Sequence, residues 1–334
     1  MKKFITTLLA GAALAVSAQT AFAASHLKEI TVAYFLEWPM PMLDSKANGA
    51  YDKALGMKVN WVSFETGTAM SAAMASGDVH IAVSQGIPPF VVAASAGQNL
   101  QVLDVAVSYS DNDNCVVRSE LEVDKTNAKK LEGKKVAIPL GTAAHYGFLR
   151  QMSHFGIDTS TLEIVDMSPT DAAPALAQGN LDFACGYGGG LTRMKESGNV
   201  LLTGAEKEDL GILVFDVTSA PSDFIDENPE LVAKFLATTA AANEKWNSGK
   251  GGDEMLKILA KEAGMDLAAA KTAIATMKFP PLKEQLSEKW MGGGVQTFMG
   301  GVAKVFKDAG SIEKTLDSYD GSANADPMKA AAKM

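Results

Sequence analysis

Cysteine and histidine are scarce in this chain: two cysteines and four histidines in 334 residues. Cys115 and Cys185 stand alone, and no histidine joins them at metal-ligand spacing, so the sequence calls for no metal and no cofactor. A Gly-x-Ser-x-Gly elbow is missing as well, and His145 has no evident nucleophile to serve as base. No catalytic residue is therefore expected. The apolar run Ile5–Val16 is too short to span a bilayer, and no second one follows. Positive charge is in deficit, with a formal net charge of −9. That balance argues against nucleic acid and anionic membrane as partners. It leaves a small ligand open, because a local field can oppose the global one.

The start of the chain accounts for its apolar run. Lys2 and Lys3, the stretch Ile5–Val16 and then Ala21-Phe22-Ala23 supply the charge, the apolar core and the small-x-small ending of a secretory signal peptide over residues 1–23. No cysteine follows the cleavage site, so no lipid anchor is expected. The expected product is a soluble monomer in a bacterial periplasm, where two cysteines are free to pair. They fall, however, near strand ends of what read as different lobes, and a bridge would staple lobes that need to move. Unpaired thiols are the expectation, with a bridge as the alternative.

About 310 residues remain, enough for two lobes of ordinary size. Strands at Ile30–Phe35, Met57–Phe64, Val79–Val83 and Leu100–Tyr109 alternate with helical stretches, the pattern of an α/β fold with a mainly parallel sheet. Thr68–Ala82 is then echoed by Thr170–Ala184. Both segments run through a Thr cap, a small-residue helix, an Ala-x-Gly-Asp/Asn step and an apolar strand. Each follows another strand, Met57–Phe64 or Leu162–Met167. The echo predicts two lobes of like build, with strand ends facing across a cleft. Past a strand at Gly211–Val217 the chain turns helical, at Pro229–Trp246, Asp253–Ala263 and Leu267–Met277. The tail from Asp326 has no convincing apolar face and is expected to fray.

Gly133–Tyr146 is the stretch with chemical promise. Lys135–Pro139 reads as a short buried strand, Leu140-Gly141 as a turn, and Thr142 as the N-cap of a helix through Met152. A helix start after a glycine turn aims several N–H groups and the positive end of a dipole at one spot. A small anion fits there without a basic side chain. The same features also describe an ordinary strand-to-helix connection.

Together, Ile30–Tyr34, Asn48–Tyr51, Ala75–Val79, Leu131–Pro139, Thr142–Tyr146 and Phe215-Asp216 resemble the periplasmic substrate-binding proteins of ABC importers, in particular the taurine and aliphatic-sulfonate group. The resemblance implies a type II-like fold of two α/β lobes, joined by two crossover strands and hinged around a ligand cleft. Lobe one would comprise residues 24–116 and 217–334, and lobe two residues 117–216. It also implies a partner, a membrane permease with its own ATPase. The anion would sit on Thr142, Ala143, Ala144 and His145, with Gln85 and Gly86 adding donors from the other lobe. Glu37, Asp113 and Asp216 would receive an ammonium, and Trp38 and Tyr187 would wall the cleft, while Tyr109 and Tyr146 read as packing. Where the taurine branch carries an aromatic–acid–proline, this chain has Tyr187-Gly188-Gly189, so an ammonium contact is expected to be lost and space gained. The ligand implied is a taurine-like zwitterion. Alternatives are another small amine or quaternary amine, a thiamin-pyrimidine precursor, or an enzyme of the same superfamily; the last lacks the cysteine cluster it would need.

Overall fold

Two sheets built to one plan carry the fold. The computed structural model describes residues 27–109, 111–212 and 214–334; the expected signal peptide lies outside them. The strands of the first sheet are β1 (Glu29–Phe35), β2 (Lys58–Phe64), β3 (Ile81–Gly86) and β4 (Leu100–Tyr109). The second sheet holds β5 (Asp113–Arg118), β6 (Lys135–Ile138), β7 (Glu163–Asp166), β8 (Phe183–Tyr187) and β9 (Gly198–Val200). The chain then returns to the first sheet with β10 (Phe215–Pro221) and β11 (Met277–Lys278). Spatial orders are β11-β4-β10-β3-β1-β2 and β7-β6-β8-β5-β9. In the first sheet β2, β1 and β3 are parallel, and β10 enters antiparallel between β3 and β4. In the second, β7, β6 and β8 are parallel, and β5 enters antiparallel between β8 and β9. Each sheet thus receives one strand that has just crossed from the other, as expected of a two-lobed α/β fold with two crossovers.

The crossings come a few residues earlier than the expected limits at 116 and 216. Asp113–Val116 already pair with β8, and Phe215 and Asp216 already pair in the first sheet. The echoed segments occupy equivalent places: the helix Gly67–Ala75 leads into β3, and the helix Pro169–Ala177 into β8. Their caps lie two residues before the expected threonines. Thr66 and Ser168 are extended, and their side chains accept from the N–H groups of Ala69 and Asp171. β3 is buried along its whole length: it is a central strand between β1 and β10, with the helices Gly67–Ala75 and Ile87–Ser95 packed against it.

Two further expectations are corrected. Cys115 and Cys185 are register partners on β5 and β8, within one lobe, and they form a disulfide with Cα atoms 3.9 Å apart. The strand ends that looked like parts of different lobes belong to one antiparallel ladder, so no moving interface is stapled. The tail is also ordered: Asp326–Ala331 is helical, and Pro327, Met328 and Ala331 are buried beside the long helix Pro229–Asn247. A three-residue apolar face is sufficient for docking where it meets a larger core.

Candidate functional site

Between the lobes, at strand and helix ends, lies a tight cavity of about 20 Å³, little more than the room one water needs. The second lobe contributes the start of the helix Ala143–Phe155. Its N-cap, Thr142, is extended but does not cap: the hydroxyl donates to the Pro139 carbonyl at 2.6 Å. Among the described residues, the first amides of that helix, Ala143, Ala144 and His145, therefore have no protein acceptor. The turn before it is fixed separately. Gly141, in the left-handed region at φ 74°, donates its N–H to His145 Nδ1 at 3.1 Å, and Leu140 donates to Asp166 at 3.0 Å. Two first-lobe helices also begin at the wall, at Gly67 and just after Gly86. Several positive dipole ends thus meet at one small space.

The first lobe supplies the opposite charge. Trp38 Nε1–H donates to Ser84 Oγ at 2.8 Å, Ser84 donates to Asp216 Oδ2 at 2.7 Å, and Tyr109 donates to Asp216 Oδ1 at 2.8 Å. Ser84 adopts φ 63°, a region rarely used by non-glycine residues, and this relay holds it there. Asp216 is buried, and that burial pushes its carboxyl up to about 7 against the pull of the two hydroxyl donors; the nearby Asp113 raises it further. Phe35, Trp38, Tyr109 and Tyr187 line the same space with aromatic surface.

Six of the expected residues line the cavity: Trp38, Gly86, Thr142, Ala143, Tyr187 and Asp216. The others are placed elsewhere. Gln85 is fully buried and its amide is committed: Nε2 donates to the Gly67 carbonyl at 3.0 Å and to Ser71, and Oε1 accepts from Ser219. It shapes the wall through Gly67 and has no free donor. His145 packs its ring against Phe306 and Phe148, and burial lowers its pKa to about 4, so it is neutral. Its ring braces the turn, and only its backbone N–H belongs to the uncapped helix end. Ala144 likewise contributes an amide from a buried position outside the lining.

Asp113 sits behind the lining, opposite Tyr187 in register, and its Oδ2 has no hydrogen-bond partner among the described residues. Burial pushes its carboxyl up to about 6, opposed by Lys207, whose ammonium donates to the backbone carbonyl of Asp113. Glu37 lies in a larger outer cleft of about 410 Å³ that shares Phe35, Trp38 and Tyr187 with the inner cavity. There it forms a two-pronged ion pair with Arg193, at 2.6 and 3.1 Å. The space expected beside the glycines is filled: a Cβ on Gly189 would lie 2.4 Å from the Glu37 carboxyl carbon, and one on Gly190 would strike Pro169. Tyr109 was read as packing, yet it lines the cavity and donates to Asp216. Phe35, not among the expected residues, lines it too. Both end strands of the first sheet, and the rule that sites lie beyond strand ends applies to them as it does to Trp38. Tyr146 packs on Phe298 and Phe306, outside the lining.

Comparison with known proteins bears on this arrangement. The chain is 26% identical over 310 residues to the taurine-binding periplasmic protein of Escherichia coli (strain K12), a match covering 92% of this chain and 94% of that one. In structure it is similar to the alkanesulfonate-binding protein SsuA from Xanthomonas axonopodis pv. citri, solved bound to MOPS. The TM-score is 0.74 at 20% identity, over 90% of this chain and 100% of that one. It is similar also to the periplasmic nitrate-binding protein NrtA from Synechocystis PCC 6803, with a TM-score of 0.73 at 14% identity, over 92% and 89% of the two chains. At those identities the structural matches establish a shared periplasmic-binding-protein fold. The family model described as NMT1/THI5 like matches residues 40–246, and the chain belongs to that family.

Proposed function

We propose that this protein is a periplasmic solute-binding protein that captures a small zwitterionic organosulfonate of the taurine type and presents it to an ABC importer. One observation carries the reading: a single small cavity is bordered by an uncapped helix start at Thr142 and Ala143 and by the buried carboxyl of Asp216. A sulfonate accepts several N–H bonds and is favoured by the helix dipole. An ammonium group favours the ionised form of Asp216 and gains from the aromatic walls. A bare inorganic anion would meet the same carboxylate without compensation. Capture involves no bond making, and the site offers hydrogen-bond donors and a counter-charge. The similarity to a taurine-binding protein along most of both chains supports the same ligand class. Delivery would require a permease and its ATPase in the inner membrane.

The four aromatic side chains beside Asp216 favour a second reading, a ligand with an alkylated ammonium and no sulfonate. A thermal-shift panel at fixed protein concentration separates the two. Ligands that bind only the native state raise the melting point. Taurine is expected to give the largest shift, ethanesulfonate a smaller one, and sulfate, nitrate and choline little. A response to choline alone would refute the sulfonate class, and equal shifts with taurine and ethanesulfonate would remove Asp216 from recognition.

A further inference from the structure

The glycines Gly188–Gly190 depart from the pattern of the taurine branch, and the cavity itself does not explain them. Glu37 does. Its backbone is in the left-handed region at φ 54°, and its N–H is pinned to the Ala263 carbonyl at 2.7 Å. Its carboxylate reaches across the cleft into space that exists because residue 189 has no side chain. Gly188 is also tightly placed, since a Cβ there would come 3.1 Å from the Glu37 carbonyl oxygen. Arg193, on the helix Gly188–Lys195 of the second lobe, meets the carboxylate with both terminal nitrogens. A solvated loop carboxylate would need neither the strained backbone, nor the pinned amide, nor the glycine slot. A second contact crosses the same mouth: the Tyr187 hydroxyl donates to the Glu65 carbonyl at 2.9 Å.

We propose that Glu37 and Arg193, admitted to each other by Gly189, form a cross-cleft latch that must open for ligand to enter or leave the inner cavity. The latch holds the lobes together and positions Trp38, the next residue, against the ligand space. Glu37 therefore governs residence time and does not read the ligand's amine. A two-pronged arginine–carboxylate pair fixes geometry as well as charge, which an ammonium in place of the guanidinium does less well. Both partners are partly exposed, with side chains 41% and 32% accessible, so salt should weaken the pair.

The inference rests on the inner cavity being the ligand site, and two measurements keep the two ideas apart. Stopped-flow fluorescence with taurine and with ethanesulfonate should show Arg193→Gln and Glu37→Gln raising the dissociation rate about two- to fivefold, with a smaller change in association. Arg193→Lys should fall between wild type and Arg193→Gln. Added salt at 1 M should speed release from wild type and leave Arg193→Gln unchanged. The factor should be the same for both ligands; a larger one for taurine would mean that Glu37 contacts the amine, and would overturn the latch. X-ray scattering from the ligand-free proteins gives the independent test. Arg193→Gln should have a larger radius of gyration than wild type, and identical values would overturn the latch whatever the ligand. If neither ligand binds wild type, the ligand class fails and the scattering alone decides the latch.

Discussion

Asp216→Asn should change stability by an amount that grows with pH. An aspartate in an unfolded chain ionises near 3.9, whereas burial pushes Asp216 up to about 7. Between those values the folded protein holds a proton that the unfolded chain has released, so this group makes native stability fall as pH rises. Three pH units at about 1.4 kcal/mol each set an upper bound of about 4 kcal/mol on the penalty above pH 7. Asparagine escapes that penalty. Near pH 4 the folded wild type carries a neutral acid, which like an amide offers one carbonyl oxygen to the hydroxyls of Ser84 and Tyr109. The two proteins should therefore be similarly stable near pH 4, and the variant should gain as pH rises, by up to about 4 kcal/mol at pH 8. Urea unfolding of the ligand-free proteins across that range measures it. A variant destabilised by the same amount at every pH would show that Asp216 is ionised throughout, and the account of its burial would fail.

Three other outcomes follow from the geometry. Gly189→Ala places a methyl group 2.4 Å from the Glu37 carboxyl carbon, so taurine release should quicken about as much as in Arg193→Gln; a wild-type rate would mean that Glu37 moves aside freely. Replacing Cys115 and Cys185 together with alanine removes a link across 70 residues, and urea unfolding should show a loss of up to about 4 kcal/mol with ligand affinity kept. A loss below about 1 kcal/mol would count against a constrained unfolded chain. Burial lowers the His145 pKa from 6.5 to about 4, so the folded state refuses a proton that the unfolded chain takes up. Wild type should therefore lose up to about 3 kcal/mol, relative to His145→Phe, as pH falls through that window; parallel curves for the two proteins would refute a neutral His145.

The sheets were legible in the sequence because period-2 and period-3.6 patterns report burial directly. Leu100–Tyr109 was delimited to the residue, and the echo around Thr68 and Thr170 foretold two sheets of one plan. Boundaries slipped where a local side chain competes for the same task. Thr66 and Ser168, with Pro169 behind the latter, take the caps that Thr68 and Thr170 seemed to offer. The anion turn was read from its order of strand, glycine and helix, but the sequence does not say that the Thr142 hydroxyl turns back to Pro139 and leaves the amides free. Pairings between distant segments were the least legible. Arg193 carries no local sign that it faces Glu37, 156 residues away, and Gln85 gives none that its amide is spent on Gly67 and Ser219. Cys115 was assigned to the wrong lobe because the crossing into the second sheet precedes it by only a few residues.

The disulfide sits two positions along the ladder from the register pair Asp113 and Tyr187. One of those residues is a buried acid and the other an aromatic wall of the cavity, and the covalent tie makes their corner of the second lobe behave as one piece. Shear between β5 and β8 is thereby suppressed. Under the proposed function, a ligand held by Tyr187 would load β5 through its register partner Asp113. Force applied at the wall would then pass along the ladder without slippage inside the lobe, and the second sheet would serve as a lever for closing the proposed latch.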